Sequence, residues 1–166
     1  LVGSEMCIRD RENTVNQCFP EYKRICLIKT STSSGENFLG GYRSGLEKNP
    51  DVEQFTVIYQ ISDMPALFGE QEIAANAFSV DSTFFKIFPY RVIAGSGRIV
   101  RPRDVVITRS FWKKKLGGKN AIGATFKNTK GNKFTIIGVV DDPDTKTSWM
   151  PDIFCLLYTS PSPRDS

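Results

Sequence analysis

Histidine, the side chain that most often acts as a general acid or base in enzymes, is absent from this chain of 166 residues, and its absence limits the catalytic mechanisms open to the protein. A serine or cysteine nucleophile activated by a histidine base is therefore excluded. Zinc binding is disfavoured as well, since the usual zinc sites combine cysteine and histidine ligands. We expect no catalytic, cofactor-binding or metal-binding residues in this sequence.

Three acidic residues close together in the second half could nevertheless bind a cation or act as general acids and bases: Asp141, Asp142 and Asp144. They surround Pro143, and aspartate beside proline is common in turns. They also lack the ligand pattern of a calcium-binding loop. We therefore interpret them as turn residues after a strand.

One basic cluster has aromatic neighbours, with Lys113, Lys114 and Lys115 directly after Phe111 and Trp112. Binding of nucleic acid is one interpretation of such a cluster. On a helix, however, the aromatic residues form an inward face and the lysines project into solvent. We favour this second interpretation, and the formal net charge of +4 is too small to require an anionic partner.

Both ends of the chain are translations of one sequencing-library adapter, read in opposite orientations. Residues 1–10 match one strand of this oligonucleotide and residues 155–165 match its complement. We therefore expect residues 1–11 and 155–166 to be adapter-derived, with no evolved partner in the core and with any secondary structure there peripheral, and the natural fragment to be residues 12–154. Two of the four cysteines then remain, Cys18 and Cys26. Their spacing is compatible with a disulfide or with two free thiols.

The elements that would position these residues follow from the spacing of apolar side chains and from turn residues. Strands are predicted at 22–29, 52–61, 72–80, 90–94, 104–108, 124–128 and 133–141, and helices at 36–48, 83–88 and 109–116. Residues 61–70, which include Pro65 and Gly69, are predicted to form a loop. The result is an α+β fold with mixed or antiparallel sheets, a strand–helix–strand lobe and a second β-rich lobe. No apolar run approaches the ~20 residues needed to cross a bilayer.

Several segments of the second half, in this order and spacing, resemble the periplasmic core domain of MacB-like, FtsX-type ABC transporter permeases, especially those common in Bacteroidetes. Val-Asp-Ser-Thr-Phe-Phe-Lys-Ile-Phe at 80–88 and Phe-Thr-Ile-Ile-Gly-Val-Val at 134–140 are the longest of them. The others are residues 90–95, 104–110, 114–117, 121–123 and 151–154. The first half matches more weakly, at 24–25 and at Pro-Asp-Val-Glu, residues 50–53.

This resemblance implies a non-catalytic domain at the periplasmic face of the bacterial inner membrane, inserted between two transmembrane helices of a permease. It also implies a cytoplasmic ABC ATPase, a second permease subunit in a dimer, and a periplasmic adaptor or an outer-membrane channel as partners, without nucleic acid. The domain would convert ATP-driven helix motion into a rearrangement in the periplasm. The alternative is a free-standing periplasmic or secreted binding module of similar fold. The sequence does not name the transported substrate.

Overall fold

Seven strands build the fold in the computed structural model, which describes residues 18–26, 43–143, 147 and 150–157. Residues 43–48 are helical, and a short 3-10 helix at Tyr22–Arg24 lies before them. Two further helices are α1 (Phe84–Ile87) and α2 (Arg109–Lys115). The strands are β1 (Ile58–Phe68), β2 (Gln71–Val80), β3 (Val92–Gly95), β4 (Asp104–Thr108), β5 (Thr125–Lys127), β6 (Lys133–Val140) and β7 (Ile153–Leu156).

The strands pair in the order β3-β6-β4-β7-β2-β1-β5, and an additional pairing joins β5 back to β6. Six strands therefore close into a ring, with β3 outside it. One edge of β6 makes this possible, because residues 133–135 pair with β5 and residues 138–140 pair with β3. The β2–β7 and β4–β6 pairs are parallel and the other pairs are antiparallel. The predicted α+β class with a mixed sheet is confirmed.

The period-two alternation of the strands divides the core into two apolar clusters, one on each face of the sheet. In β4, Val105 and Ile107 belong to one cluster and Val106 to the other. In β7, Ile153 and Phe154 divide in the same way. Cluster 1 also holds Phe111 of α2, and cluster 2 holds Phe84 of α1, so each helix covers one face.

Most predicted elements of the second half are confirmed within a few residues. β4 has the predicted bounds, and β5 and β6 form the predicted antiparallel hairpin. Helix α2 ends before Gly117, which has a φ of +66°, a conformation that glycine adopts without strain. Of the predicted helix 36–48, residues 36–42 lie outside the described residues.

Three predictions for the first half are wrong. Of the strand predicted at 52–61, only residues 58–61 are strand, because the backbone N–H of Val57 donates to the carboxylate of Asp81 and not to a neighbouring strand. Tyr22–Arg24 is a 3-10 helix and not the start of a strand, because Phe19 is buried in cluster 2 and its carbonyl accepts from the N–H of Tyr22. Residues 61–68 are strand and not loop. The loop-like residues there mark a β-bulge around Asp63, whose φ is +49°. Pro65 follows it and is tolerated because β1 pairs with β2 along one edge and with β5 only at Leu67 along the other, so a missing N–H donor breaks no necessary pairing.

The expectation that any secondary structure in residues 155–166 is peripheral is wrong for residues 155–157, which lie in or directly after β7 and hydrogen-bond to β2. Cys155 and Leu156 extend β7 and pair with Ser79 and Val80 of β2. Ladder hydrogen bonds join backbone groups, so a strand can continue through any residues that tolerate extended backbone. The pairing therefore does not show where these residues come from, and their adapter origin stays a prediction.

Candidate functional site

Three segments of the chain meet beside the end of β6 and enclose a cleft of about 540 Å³. Residues 89–91 and 141–143 form two of its walls, and Cys18 and Phe19 form the third. The backbone N–H of Asp141 donates to the carbonyl of Arg91 at 2.8 Å. This bond continues the β3–β6 pairing beyond the strands and brings Arg91 and Asp141 side by side.

A single carboxylate oxygen of Asp141 accepts from two arginines. Arg91 donates from Nε to Oδ2 at 3.1 Å, and Nη2 of Arg109 lies 3.1 Å from the same oxygen. Arg109 begins α2, where a positive charge is unfavourable next to the helix dipole. The carboxylate offsets this and ties together the end of β6, the start of α2 and the segment before β3.

Two opposing effects act on the pKa of the Asp141 carboxyl. Its partial burial, with 16% of the side chain exposed, favours the neutral form and raises the pKa. The hydrogen bonds from Arg91 and the charges of both arginines act in the opposite direction and prevail. The pKa of Asp141 is therefore lowered, and the group is ionised at neutral pH.

The neighbouring Asp142 is held differently. Its Oδ2 accepts from the hydroxyl of Ser110 at 2.8 Å, and its backbone N–H donates to Oδ1 of Asp141 at 3.0 Å. Its own Oδ1 is buried and accepts no hydrogen bond from the part of the chain that the structure describes. Buried polar atoms without a partner are rare in folded proteins, which makes this oxygen a marker of the site.

Aromatic rings form the floor next to these charges. Phe19 packs edge to face on Phe88 and Tyr90, with ring centroids 4.9 and 5.5 Å apart. Tyr90 in turn lies 5.2 Å from Phe154 of β7, and Phe84 lies 5.4 Å from the same ring. Burial raises the pKa of the Tyr90 phenol, and the nearby Cys18 and Asp142 act in the same direction. The phenol is therefore neutral at any physiological pH.

The sequence-predicted polar residues divide between this site and open surface. Asp141 and Asp142 follow β6 as turn residues, as predicted, while Asp144 lies outside the described residues. Within the described chain no three acidic or cysteine side chains come together as a metal site would require.

Lys113, Lys114 and Lys115 are exposed on α2 and Phe111 is buried, which confirms the solvated helix face. Cys18 and Cys26 are free thiols.

Sequence reasoning missed the arginines and Ser110, although each lies at the boundary of a strand. Arg91 is just before β3, and Arg109 and Ser110 come directly after β4. The parallel pairing of β4 with β6 brings the ends of both strands to one edge of the sheet, where their following residues meet. The cluster could have been predicted from the polar residues that directly follow two buried strands of the sequence.

Comparison with known proteins identifies the class. The sequence model of the family described as MacB-like periplasmic core domain matches residues 12–162. This span is most of the chain, and the chain therefore belongs to that family, whose members are periplasmic domains of ABC transporter permeases. No curated protein sequence gives a significant match.

Solved structures show the same fold. The periplasmic region of MacB from Actinobacillus actinomycetemcomitans is similar with a TM-score of 0.53 and 20% identity, over 68% of this chain and 52% of that one. The extracellular domain of the noncanonic ABC-type transporter YknZ from Gram-positive bacteria has a TM-score of 0.55 and 18% identity, over 68% and 59% of the two chains. The chain thus spans little more than half of these structures. In its described part, no helix is long and apolar enough to cross a membrane.

Proposed function

We propose that this chain is the extracytoplasmic domain of an ABC-type export or mechanotransmission permease, and that it couples ATP-driven motion of transmembrane helices to the handling of a substrate or partner in the periplasm. The domain is not an enzyme. Its partners are a cytoplasmic ABC ATPase, a second permease subunit in a dimer, and a periplasmic adaptor or an outer-membrane channel. Its natural extent in this proposal is residues 12–154.

The observation that carries this proposal is the packing of Phe19 and Phe154 in one apolar cluster. These residues lie near the two ends of the proposed natural domain. Both are almost completely buried, and the ring of Tyr90 lies between them. Since protein interiors are close-packed, a displacement of the chain at Phe19 is transmitted to Phe154.

From Phe154 the displacement reaches the centre of the sheet. β7 lies between β2 and β4, with parallel pairing to β2 and antiparallel pairing to β4. Ladder hydrogen bonds run across the strands, perpendicular to them in the antiparallel β4–β7 pair and slanted in the parallel β2–β7 pair, so a force along β7 acts on both sets of bonds at once. Both segments therefore act on the sheet as one body, as a coupling domain requires.

The test uses the full-length permease with its ATPase in lipid nanodiscs, with Cys18 and Cys26 replaced by serine and a spin label at Val100→Cys. Val100 is 68% exposed, so the label does not disturb the core. We expect the distance between the two labels of a dimer to change when ATP replaces ADP. In Phe19→Ala, ATP hydrolysis should continue while this distance change falls to less than half.

A matched control is Tyr59→Ala, which truncates an aromatic side chain that is 58% exposed on β1. It should respond to ATP like the parent protein. Equal distances with ATP and ADP in the parent protein would contradict the coupling role. A gene that encodes a cleavable signal peptide before residue 12, without a transmembrane helix, would instead support the free-standing binding module.

A further inference from the structure

The net charge of +4 hides an uneven distribution of charge along the chain. Residues 105–140 contain seven lysines and one arginine but no aspartate or glutamate, so the remainder of the chain has a charge of −4. All seven lysines are exposed, and none makes an ion pair with another described residue. Their side chains therefore form a positive surface that the described part of the domain does not neutralise.

Three of these lysines lie on the hairpin of β5 and β6 and are called the hairpin lysines below. Lys127 and Lys133 are directly opposite each other in the antiparallel pair, and Lys130 lies in the turn between them. Oδ1 of Asn128 fixes this turn by accepting from the backbone N–H groups of Lys130 and Asn132 at 3.1 and 2.9 Å. Like charges directly opposite each other on neighbouring strands are destabilising, so this arrangement lowers the stability of the hairpin.

The packing around the hairpin gives no structural reason for its charges. Lysine often blocks the open edge of a sheet, but β5 at Lys127 pairs with β6 on one edge and with Leu67 of β1 on the other. Glu72 lies opposite Leu67, two strands and roughly 10 Å from Lys127. Asp104 begins β4 next to β6, and the exposed Arg103 beside it offsets its charge. A local arrangement that costs stability without a structural gain is typical of a functional surface.

We propose that the hairpin lysines bind the surface of a lipid bilayer that carries anionic headgroups. The chain belongs to a family of periplasmic domains of membrane permeases, which places a bilayer next to the domain. Lysine carries a compact charge on a flexible stem and suits a diffuse layer of headgroups, whereas arginine suits the bidentate recognition of single phosphates. The inference depends on this location and not on ATP-driven coupling.

The aromatic residues of the hairpin favour a lipid surface over nucleic acid. Proteins that bind single-stranded nucleic acid combine positive charge with aromatic rings on which the bases stack. In this hairpin, Phe126 is buried and its ring stacks on that of Phe134, with centroids 5.3 Å apart. Neither ring is a free platform for a base, whereas attraction to an anionic bilayer requires the charges alone.

The test is sedimentation of the 166-residue chain with lipid vesicles. We expect binding to vesicles of phosphatidylglycerol and phosphatidylcholine in equal amounts, and no binding to vesicles of phosphatidylcholine alone. Raising the salt concentration from about 0.1 M to about 1 M should abolish the binding, because the Debye length falls from about 10 Å to about 3 Å.

A triple variant locates the surface: Lys127→Gln, Lys130→Gln and Lys133→Gln together. It should bind the anionic vesicles at least about tenfold more weakly, because each lysine close to an anionic surface adds to the affinity. Its unfolding temperature should be no lower than that of the parent chain, since the opposed charges are removed.

The matched control combines Lys23→Gln, Lys48→Gln and Lys86→Gln, which removes the same charge from three exposed lysines outside residues 105–140. Its affinity for the anionic vesicles should stay within about threefold of the parent value, because these lysines lie outside the hairpin.

Five outcomes would overturn the proposal. These are no binding to anionic vesicles, equal binding to neutral vesicles, an equal loss in the control variant, a hairpin variant less stable than the parent chain, or tighter binding to a single-stranded DNA oligonucleotide than to the vesicles. The last outcome would favour nucleic acid as the ligand. Vesicle binding needs neither ATP nor an ATPase, so its failure would leave the proposed coupling in a permease untouched.

Discussion

Asp141 is the residue on which most contacts of the site converge. Through one carboxylate it holds Arg91 before β3 and Arg109 at the start of α2, and through its backbone it extends the β3–β6 pairing. The carboxylate is largely shielded while Arg91 is 75% exposed. Its ionisation therefore links the stability of this corner of the sheet to pH.

The pH dependence has a definite sign. The folded-state pKa of Asp141 lies below its unfolded value of about 4, so its contribution to stability is complete above about pH 4 and is lost as the pH falls through the folded pKa. Asp141→Asn should lower the unfolding free energy at about pH 6 more than at about pH 3. Urea denaturation at both pH values measures this, with the exposed Asp51→Asn as control. An equal loss at both pH values would contradict the role of the charge.

Gly138 of β6 is required for a close approach of two backbones. A Cβ at this position would lie 1.8 Å from the carbonyl oxygen of Ser96. Gly138→Ala should therefore displace the chain after β3 and lower the unfolding free energy by about 2–3 kcal/mol, as overpacking does. Gly45→Ala is the control, because a Cβ there meets nothing within 4 Å and alanine favours the helix. Urea denaturation measures both variants. If Gly138→Ala were as stable as the parent protein, the close approach of the two backbones would be contradicted.

At the scale of elements, local sequence patterns were sufficient to predict those helices and strands that depend mainly on their own residues. The apolar run of β4 and the turn between β5 and β6 were predictable in this way. Tyr22–Arg24 was not, because the burial of a preceding residue, Phe19, overrides the strand preference of Tyr22 and Ile25. The candidate site was only half predictable. Asp141 and Asp142 were visible as acidic turn residues, but their partners come from positions that only the sheet topology brings together.

β7 provides a test of what the proposed adapter residues do in this chain. Removing residues 155–166 deletes two pairs of β7 with β2, one pair of β7 with β4, and the bond from Leu157 N–H to the carbonyl of Val80. We expect a loss of about 1–3 kcal/mol, since each net backbone hydrogen bond contributes about 1 kcal/mol. Removing only residues 158–166 leaves these bonds intact and is the control. Thermal unfolding of both truncated chains distinguishes them, and equal stability would mean that residues 155–157 contribute nothing.

At the scale of the whole molecule, the two apolar clusters share their strands, because neighbouring residues of β4 and of β7 enter opposite clusters. One cluster cannot lose its packing while the other stays intact. We therefore expect one cooperative unfolding transition. Tryptophan fluorescence, which includes Trp112 beside cluster 1, should change at the same urea concentration as far-UV circular dichroism. Separate midpoints would show that the clusters unfold independently.

The pairing of β5 with β6 has a consequence for the free edges of the sheet. A sheet with free edges can recruit a strand from a neighbouring molecule, which is a common route to aggregation. Closure of six strands into a ring leaves β3, of four residues, as the strand outside it among those described. Gly95, at the end of β3, has a φ of +67°, which bends the chain away from extended backbone. Ring closure thus leaves few backbone groups of β5 and β6 free to recruit a strand, whereas the second edge of β1 is paired in the described chain only at Leu67, with Lys127 of β5.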